Sequence, residues 1–295
     1  MNQQPKVLVI GLGLIGASFA KALKSRHAAY VYGYNRGAGV AQQAKELAVI
    51  DEVVDDLQSL PPLDCIVLGV PVLAIAPVLE QIKPALSGLT LLTDVGSVKG
   101  EVVTIVQQTL GELPACFVPG HPIAGAEKSG LAAANETLFD DHMHIITPLA
   151  SSSAAAIELV TQLWQACGAD VISMSVEKHD EVLAATSHLP HLLAFSLVDT
   201  LSRESENSEI FKYAAGGFRD FSRIAASDPT MWHDIFLTNQ SALLAVLRRF
   251  QADLSQLEQA VEQGDGAYLK QVFTQAKQSR DHFSDLLAAR KKKSQ

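Results

Sequence analysis

A histidine set between a glycine and a proline, Gly120-His121-Pro122, with Gly125 close behind, is the first candidate for chemistry. Imidazole exchanges a proton near neutral pH, and small rigid neighbours fix where it points. Arg219 and Arg223 stand four residues apart after Gly216-Gly217, which places two guanidiniums on one helical face. Such forks hold carboxylates bidentately, or else pair within the chain with Asp220 or Asp228. His188 and His191 flank Leu189-Pro190 and share a helix face that serves packing, substrate contact or a metal pair. No third ligand has fitting spacing, so no metal is expected. Ser97, after Asp94-Val95-Gly96, is either a helix N-cap or a functional hydroxyl at a strand end. Asp140, Asp141, His142 and His144 lack metal spacing and read as surface or strand-start residues.

The elements that must position these groups begin at the N-terminus. Lys6–Ile10 is an apolar strand that runs into Gly11-Leu12-Gly13-Leu14-Ile15-Gly16, followed by a helical pattern. Strand, G-x-G-x-x-G turn and helix together form the dinucleotide-binding fingerprint, with Gly11, Gly13, Leu14, Ile15 and Gly16 around the pyrophosphate. A second strand, Ala29–Tyr34, ends at Asn35-Arg36, where NAD-preferring folds carry an acidic residue. An amide and a guanidinium suit a 2′-phosphate, which favours NADP; alternatively Asn35 binds the ribose hydroxyls of NAD and Arg36 is solvated. A third strand from Asp64 ends at Val70-Pro71, on the edge where ligands of such sheets collect. The helix that follows, Val72–Ile82, should be broken by Pro77. Leu89–Val95 and Ala115–Pro119 read as fourth and fifth strands, which puts Ser97 and His121 on loops at the same edge.

Past residue 150 the pattern is helical apart from a short strand, Asp170–Ser173. The expected architecture is an α/β Rossmann-type domain, residues 1–150, joined to an all-helical domain, residues 151–295. Pro190 should kink the helix Glu177–Leu201 because it cannot donate to the Thr186 carbonyl. Leu243, Leu247, Phe250, Leu254, Leu257 and Val261 make a heptad-like stripe, for packing within the domain or for a dimer seam.

With 48% hydrophobic and 19% charged residues the chain of 295 residues has a sizeable core, and its net charge of -9 argues against nucleic acid as a partner. The basic run Arg290–Lys293 reads as a solvated tail. Three separated cysteines, Cys65, Cys116 and Cys167, form no metal or disulfide pattern and suit a reducing compartment. No signal segment and no apolar run of membrane-spanning length stands out, so the expectation is a cytoplasmic protein without membrane partners.

In this order DVGSVK (Asp94–Lys99), HPIAGAEKSG (His121–Gly130), SHLPH (Ser187–His191) and GFRDFSRIAASDPTMW (Gly217–Trp232) resemble the prephenate/arogenate dehydrogenase family of tyrosine biosynthesis. The resemblance spans essentially the whole chain. It implies a Rossmann domain, a helical dimerisation domain, and oxidative decarboxylation of a cyclohexadienol to a phenol with hydride transfer to NAD(P). It implies His121 as acceptor of the substrate hydroxyl's hydrogen bond and Ser97 beside it and the nicotinamide. It further implies His191 and Arg223 on the substrate, Arg219 and Asp220 shaping the pocket, and Glu127 as an acidic gate. His191 resembles the prephenate-accepting form, with arogenate left open. A β-hydroxyacid dehydrogenase would instead need a catalytic lysine, for which Lys178 and Lys212 are the candidates. A non-catalytic NADP-binding regulator would not need these residues together.

Overall fold

The computed structural model describes residues 4–126, 128–203, 213 and 215–293. The chain forms two compact units, Met1–Gln240 and Ser241–Gln295. In the first unit β1 (Lys6–Ile10), β2 (Tyr30–Tyr34), β3 (Glu52–Val53), β4 (Cys65–Leu68) and β5 (Leu91–Asp94) form a parallel sheet in the order β3-β2-β1-β4-β5. The helices α1 (Leu14–Ser25), α2 (Val40–Glu46) and α3 (Ile75–Ile82) lie between these strands in the chain, and α4 (Gly100–Leu110) follows β5. Strand β3 is too short to show a periodicity and has no counterpart in the sequence reading.

Alternation along β1 sorts the core into two layers. Val7 and Val9 pack with Phe19 and Leu23 of α1, whereas Leu8 and Ile10 pack with Ile75 and Leu79 of α3 and Val102 and Val106 of α4. All four strand residues are buried, as a doubly covered parallel strand requires. Each such side chain contributes roughly 1.5–3 kcal/mol by leaving water. Pro77 does not break its helix, because it falls in the first turn of α3, where no N–H is needed.

A second, three-stranded sheet follows: β6 (Gly120–Pro122), β7 (Met143–Ile146) and, after α5 (Ala154–Ala166), β8 (Asp170–Ser173). Strand β6 is antiparallel to β7, with His121 opposite Ile145, and β7 is parallel to β8. This corrects the reading of residues 115–119 as a fifth strand. Phe117 makes only an isolated bridge to Leu92, and Pro119, which has no N–H, ends that pairing. His121 therefore sits on a short strand of the second sheet, not on a loop. His144 follows Met143 at the start of β7, one of the two places expected for it, and it is not on the surface: it is fully buried and stacked on Trp164, ring centroids 3.9 Å apart.

The remaining helices of this unit are α6 (Val176–Leu183), α7 (Leu189–Ser202), α8 (Gly216–Ser222) and α9 (Pro229–Thr238). A π turn, Ala184–His188, joins α6 to α7 and places Pro190 in the first turn of α7, so the break expected at the proline is taken up just before it. By length and apolar content Val176–Ser202 would suffice to cross a bilayer, which corrects the expectation that no run is long enough. That run carries His179, Asp180 and His188, all with polar partners. Asp228 caps α9, accepting from the N–H groups of Thr230 and Met231, and Pro229 takes its first position.

The second unit is a pair of long helices, α10 (Gln240–Gln263) and α11 (Gly266–Lys293), separated at Gly264, whose φ of +65° ends the first helix. The basic run at 290–293 continues α11. The heptad stripe is uneven: Leu243 is buried, but Leu254 is 51% and Val261 67% exposed, and Phe273 and Phe283 on α11 are also half exposed.

Candidate active site

The glycine turn lies between the ends of β1 and β4, where the chain order of the sheet reverses and ligands of such folds bind. Gly11 has φ +99°, and a Cβ there would lie 2.5 Å from the Gly69 carbonyl oxygen. A Cβ at Gly16 would lie 2.1 Å from the Gly11 carbonyl oxygen. Both glycines are demanded by the protein itself. Gly13 is not: its backbone is extended, with φ −78°, and a Cβ would meet no protein atom within 4 Å. It is also the N-cap of α1, with no side chain capping it, so no side chain there competes for the N–H groups of the first turn. An uncapped helix start behind a glycine that the fold does not need fits a pyrophosphate.

At the end of β2, Asn35 Oδ1 accepts from the Leu12 N–H at 3.0 Å, which leaves the amide nitrogen to donate outward. Arg36 is exposed beside it. A cavity of about 410 Å³ opens there, lined by Asn35, Gly37, Gln42, Lys45, Glu52 and Asp55. Val70 is half-buried against Gly11, and Pro71 is exposed at the same edge.

The turn between β5 and α4 builds the next part. Asp94 and Lys99 form a fully buried ion pair. Together they clasp one residue of β6: Asp94 Oδ1 accepts from the Gly120 N–H at 3.2 Å, and Lys99 Nζ donates to the Gly120 carbonyl at 2.6 Å. A buried charge pair is tolerated only when its remaining hydrogen-bonding capacity is met, and here the Gly96 N–H supplies a further partner to Asp94 at 2.8 Å. The clasp fixes the residue immediately before His121. Ser97 lies half-buried in this turn and does not cap α4, whose N-cap residue is Lys99. The cap comes from elsewhere: Asp180 of α6 accepts from the Lys99 and Gly100 N–H groups, each at 2.8 Å.

His121 is buried, and its Nδ1 lies 2.9 Å from His179 Nε2. His179 Nδ1 lies in turn 2.8 Å from Asp180 Oδ1. Burial holds the His121 imidazole well below the ordinary histidine range, with His179 and Lys99 adding to the effect. His179 is lowered by burial, which the Asp180 contact partly opposes. Burial alone would raise the Asp180 carboxyl, but the His179 ring and the two α4 N–H groups hold it below its usual range. The sequence reading passed over His179 and Asp180, which no local pattern marks out.

His191 is half-buried and stacks on Trp232 with ring centroids 3.7 Å apart, while His188 meets the same indole edge-on at 6.1 Å. The two histidines thus converge on Trp232. His191 Nδ1 donates to the Ser187 carbonyl at 2.9 Å, which leaves Nε2 for another partner. His188 Nδ1 instead accepts from Asn239, whose amide also donates to the Asp180 carbonyl. Burial lowers His188 to about 4. Arg219 and Asp220 are exposed on α8 and Arg223 is exposed just after it. Glu127 and Lys212 lie outside the described residues. Lys178 is exposed and pairs with Glu181, away from the buried histidines.

A parallel nucleotide-binding sheet with an uncapped glycine turn and a buried imidazole at its carboxyl edge defines a dinucleotide-dependent oxidoreductase. The family profile "Prephenate dehydrogenase, nucleotide-binding domain" matches residues 19–173, and "Prephenate dehydrogenase, dimerization domain" matches residues 175–275. The chain is 40% identical over 278 residues to the cyclohexadienyl dehydrogenase of Zymomonas mobilis, covering 93% of this chain and 94% of that protein. The crystal structure of prephenate dehydrogenase from A. aeolicus, in complex with hydroxyphenyl propionate and NAD+, superimposes with a TM-score of 0.88 at 35% identity, covering 96% of this chain and 99% of that one. The Synechocystis arogenate dehydrogenase gives 0.81 at 30% identity, covering 94% and 99%. The chain belongs to the prephenate dehydrogenase family.

Proposed function

We propose that the chain oxidatively decarboxylates prephenate, and arogenate as a second substrate, using NAD(P)+. The observation that carries this reading is His121: a buried, neutral imidazole held beside the C-terminal end of β5 by the Asp94–Lys99 clasp. The nicotinamide, when bound, accepts the hydride from the ring carbon that bears the hydroxyl. His121 accepts the hydroxyl proton as the carbonyl character develops, and the neutral ring is the form able to do so. Loss of CO₂ from the opposite ring carbon then restores aromaticity, which supplies the driving force. Ser97 lies between the reacting hydroxyl and the cofactor. Arg223 and His191 hold the substrate's carboxylate, the latter through its uncommitted Nε2, while Arg219, Asp220 and Glu127 shape the entrance.

For the cofactor, Gly11, Gly13, Leu14, Ile15 and Gly16 hold the pyrophosphate, and Val70 and Pro71 border it. Asn35 and Arg36 favour NADP, because an outward amide donor and a guanidinium complement a phosphate better than a carboxylate would. The A. aeolicus relative binds NAD+, so the preference is read from the ratio of kcat/KM for the two cofactors. The functional division is a nucleotide-binding part, residues 1–150, and a helical substrate-binding and dimerisation part, residues 151–295, in a cytoplasmic homodimer.

The test is NAD(P)H formation followed by absorbance with prephenate and with arogenate. No change with either substrate overturns the reading. His121→Asn should lower kcat by ~10²–10⁴ with substrate binding retained. Arg223→Ala should raise KM for substrate at least ~10-fold more than KM for cofactor, the loss of about 1.4 kcal/mol or more of carboxylate binding.

A further inference from the structure

We propose that His179 and Asp180 are positioning residues that hold His121 in one tautomer, with the proton on Nδ1 and the lone pair on Nε2. The inference rests on the reading of His121 as the acceptor of the substrate's hydroxyl proton. The direction of each hydrogen bond can be followed from the helix end inward. Asp180 spends one oxygen on the Lys99 N–H and the other on the Gly100 N–H, both at 2.8 Å. Both contacts, and the positive end of α4 that Asp180 thereby caps, favour the carboxylate over the acid. A carboxylate only accepts, so at the 2.8 Å contact it is His179 Nδ1 that carries the proton.

His179 is fully buried, and a second ring proton would place a cation near Lys99. The neutral ring therefore presents a lone pair at Nε2. His121 Nδ1 faces that lone pair at 2.9 Å. Two lone pairs at this distance repel, so the proton belongs to His121 Nδ1 and Nε2 is left bare. This is the logic of a catalytic triad, with a second imidazole between the carboxylate and the working ring. The opposite polarity would make Nε2 a donor, unable to receive the hydroxyl proton.

The charged and titratable groups facing this pair are Asp94 and Lys99 at the β5–α4 turn, His144 on β7, Asp180 on α6 and His188 in the π turn. Of these only Asp94 and Asp180 favour a protonated imidazole; Asp94 is neutralised by Lys99, so Asp180 sets the polarity. When acid protonates His179, its Nε2 becomes a donor and His121 Nδ1 must accept. The acid limb of kcat/KM then reports the pair and not His121 alone.

The experiment is ¹⁵N-histidine NMR of the full-length wild type, together with kinetics of Asp180→Asn. In Asp180→Asn an amide nitrogen set in the place of Oδ1 donates to His179 Nδ1 and reverses the chain of hydrogen bonds with little change in volume, at the cost of the Lys99 N–H contact. The wild type should show His121 protonated at Nδ1. The variant should show it at Nε2, with kcat reduced on the order of 10²-fold or more and substrate KM changed less than about threefold, as expected for a wrong tautomer. His121 protonated at Nε2 in the wild type overturns the proposal, and this measurement does not depend on how well the variant folds. An unchanged kcat and acid limb in folded Asp180→Asn overturns it equally. Wild-type turnover by His121→Asn would instead remove the catalytic reading, leaving the tautomer to the NMR result.

Discussion

A methyl group added at Gly16 would lie 2.1 Å from a carbonyl oxygen of the same turn, whereas one added at Gly13 would meet nothing within 4 Å. The two substitutions should separate folding from cofactor binding. Gly16→Ala should lower stability by about 1–3 kcal/mol, the usual cost of overpacking against backbone. Gly13→Ala should cost below about 1 kcal/mol, the N-cap penalty alone, and raise the cofactor KM at least tenfold. Denaturant midpoints and cofactor titrations check both; an unchanged cofactor KM in Gly13→Ala would place the pyrophosphate elsewhere. At this scale the sequence was informative wherever a residue type is unusual for its setting. Glycine spacing, a histidine before proline and two arginines at helical spacing all stood out. His179 and Asp180 did not, because their role comes from packing of α6 against the start of α4, a contact between residues about eighty positions apart.

The elements were legible where hydrophobic periodicity is long and the ends are marked. Strand β1, helix α1 and the capped start of α9 follow from local pattern. The stretch 115–122 did not, because a run of four apolar-compatible residues carries the same pattern whether it joins one sheet or precedes a strand of another. Tertiary pairing with β7 decided it. The same packing has a thermodynamic signature. His121, His144, His179 and His188 are held neutral by burial, His188 at about 4 against an ordinary 6.5. Between those values the unfolded chain binds protons that the folded chain refuses, so stability is fully present above pH 6.5 and declines as pH falls toward 4. Asp180, held low, adds to the loss below the ordinary carboxylate value. Denaturant midpoints measured across this window should fall steadily with acid. A flat profile would mean that these rings are not buried neutral in solution.

For the molecule as a whole, composition pointed to a globular acidic protein and away from nucleic acid, and the ordered motifs pointed to the family. How the helical half divides was not legible: the compact first unit runs to Gln240, well past the change in pattern near residue 150. In the second unit, Leu254, Val261, Phe273 and Phe283 keep half or more of their surface exposed on α10 and α11. If a second copy covers these side chains, as the dimerisation-domain match supports, folding is no longer a property of one chain. By mass action each tenfold dilution withdraws about 1.4 kcal/mol from the assembled state. Tm should therefore fall steadily across a dilution series; a Tm independent of concentration would leave the stripe uncovered. With that face covered by a second copy, the exposed heptad positions would turn thermal stability into a quantity set by abundance, so that lowering expression would weaken every molecule that remains.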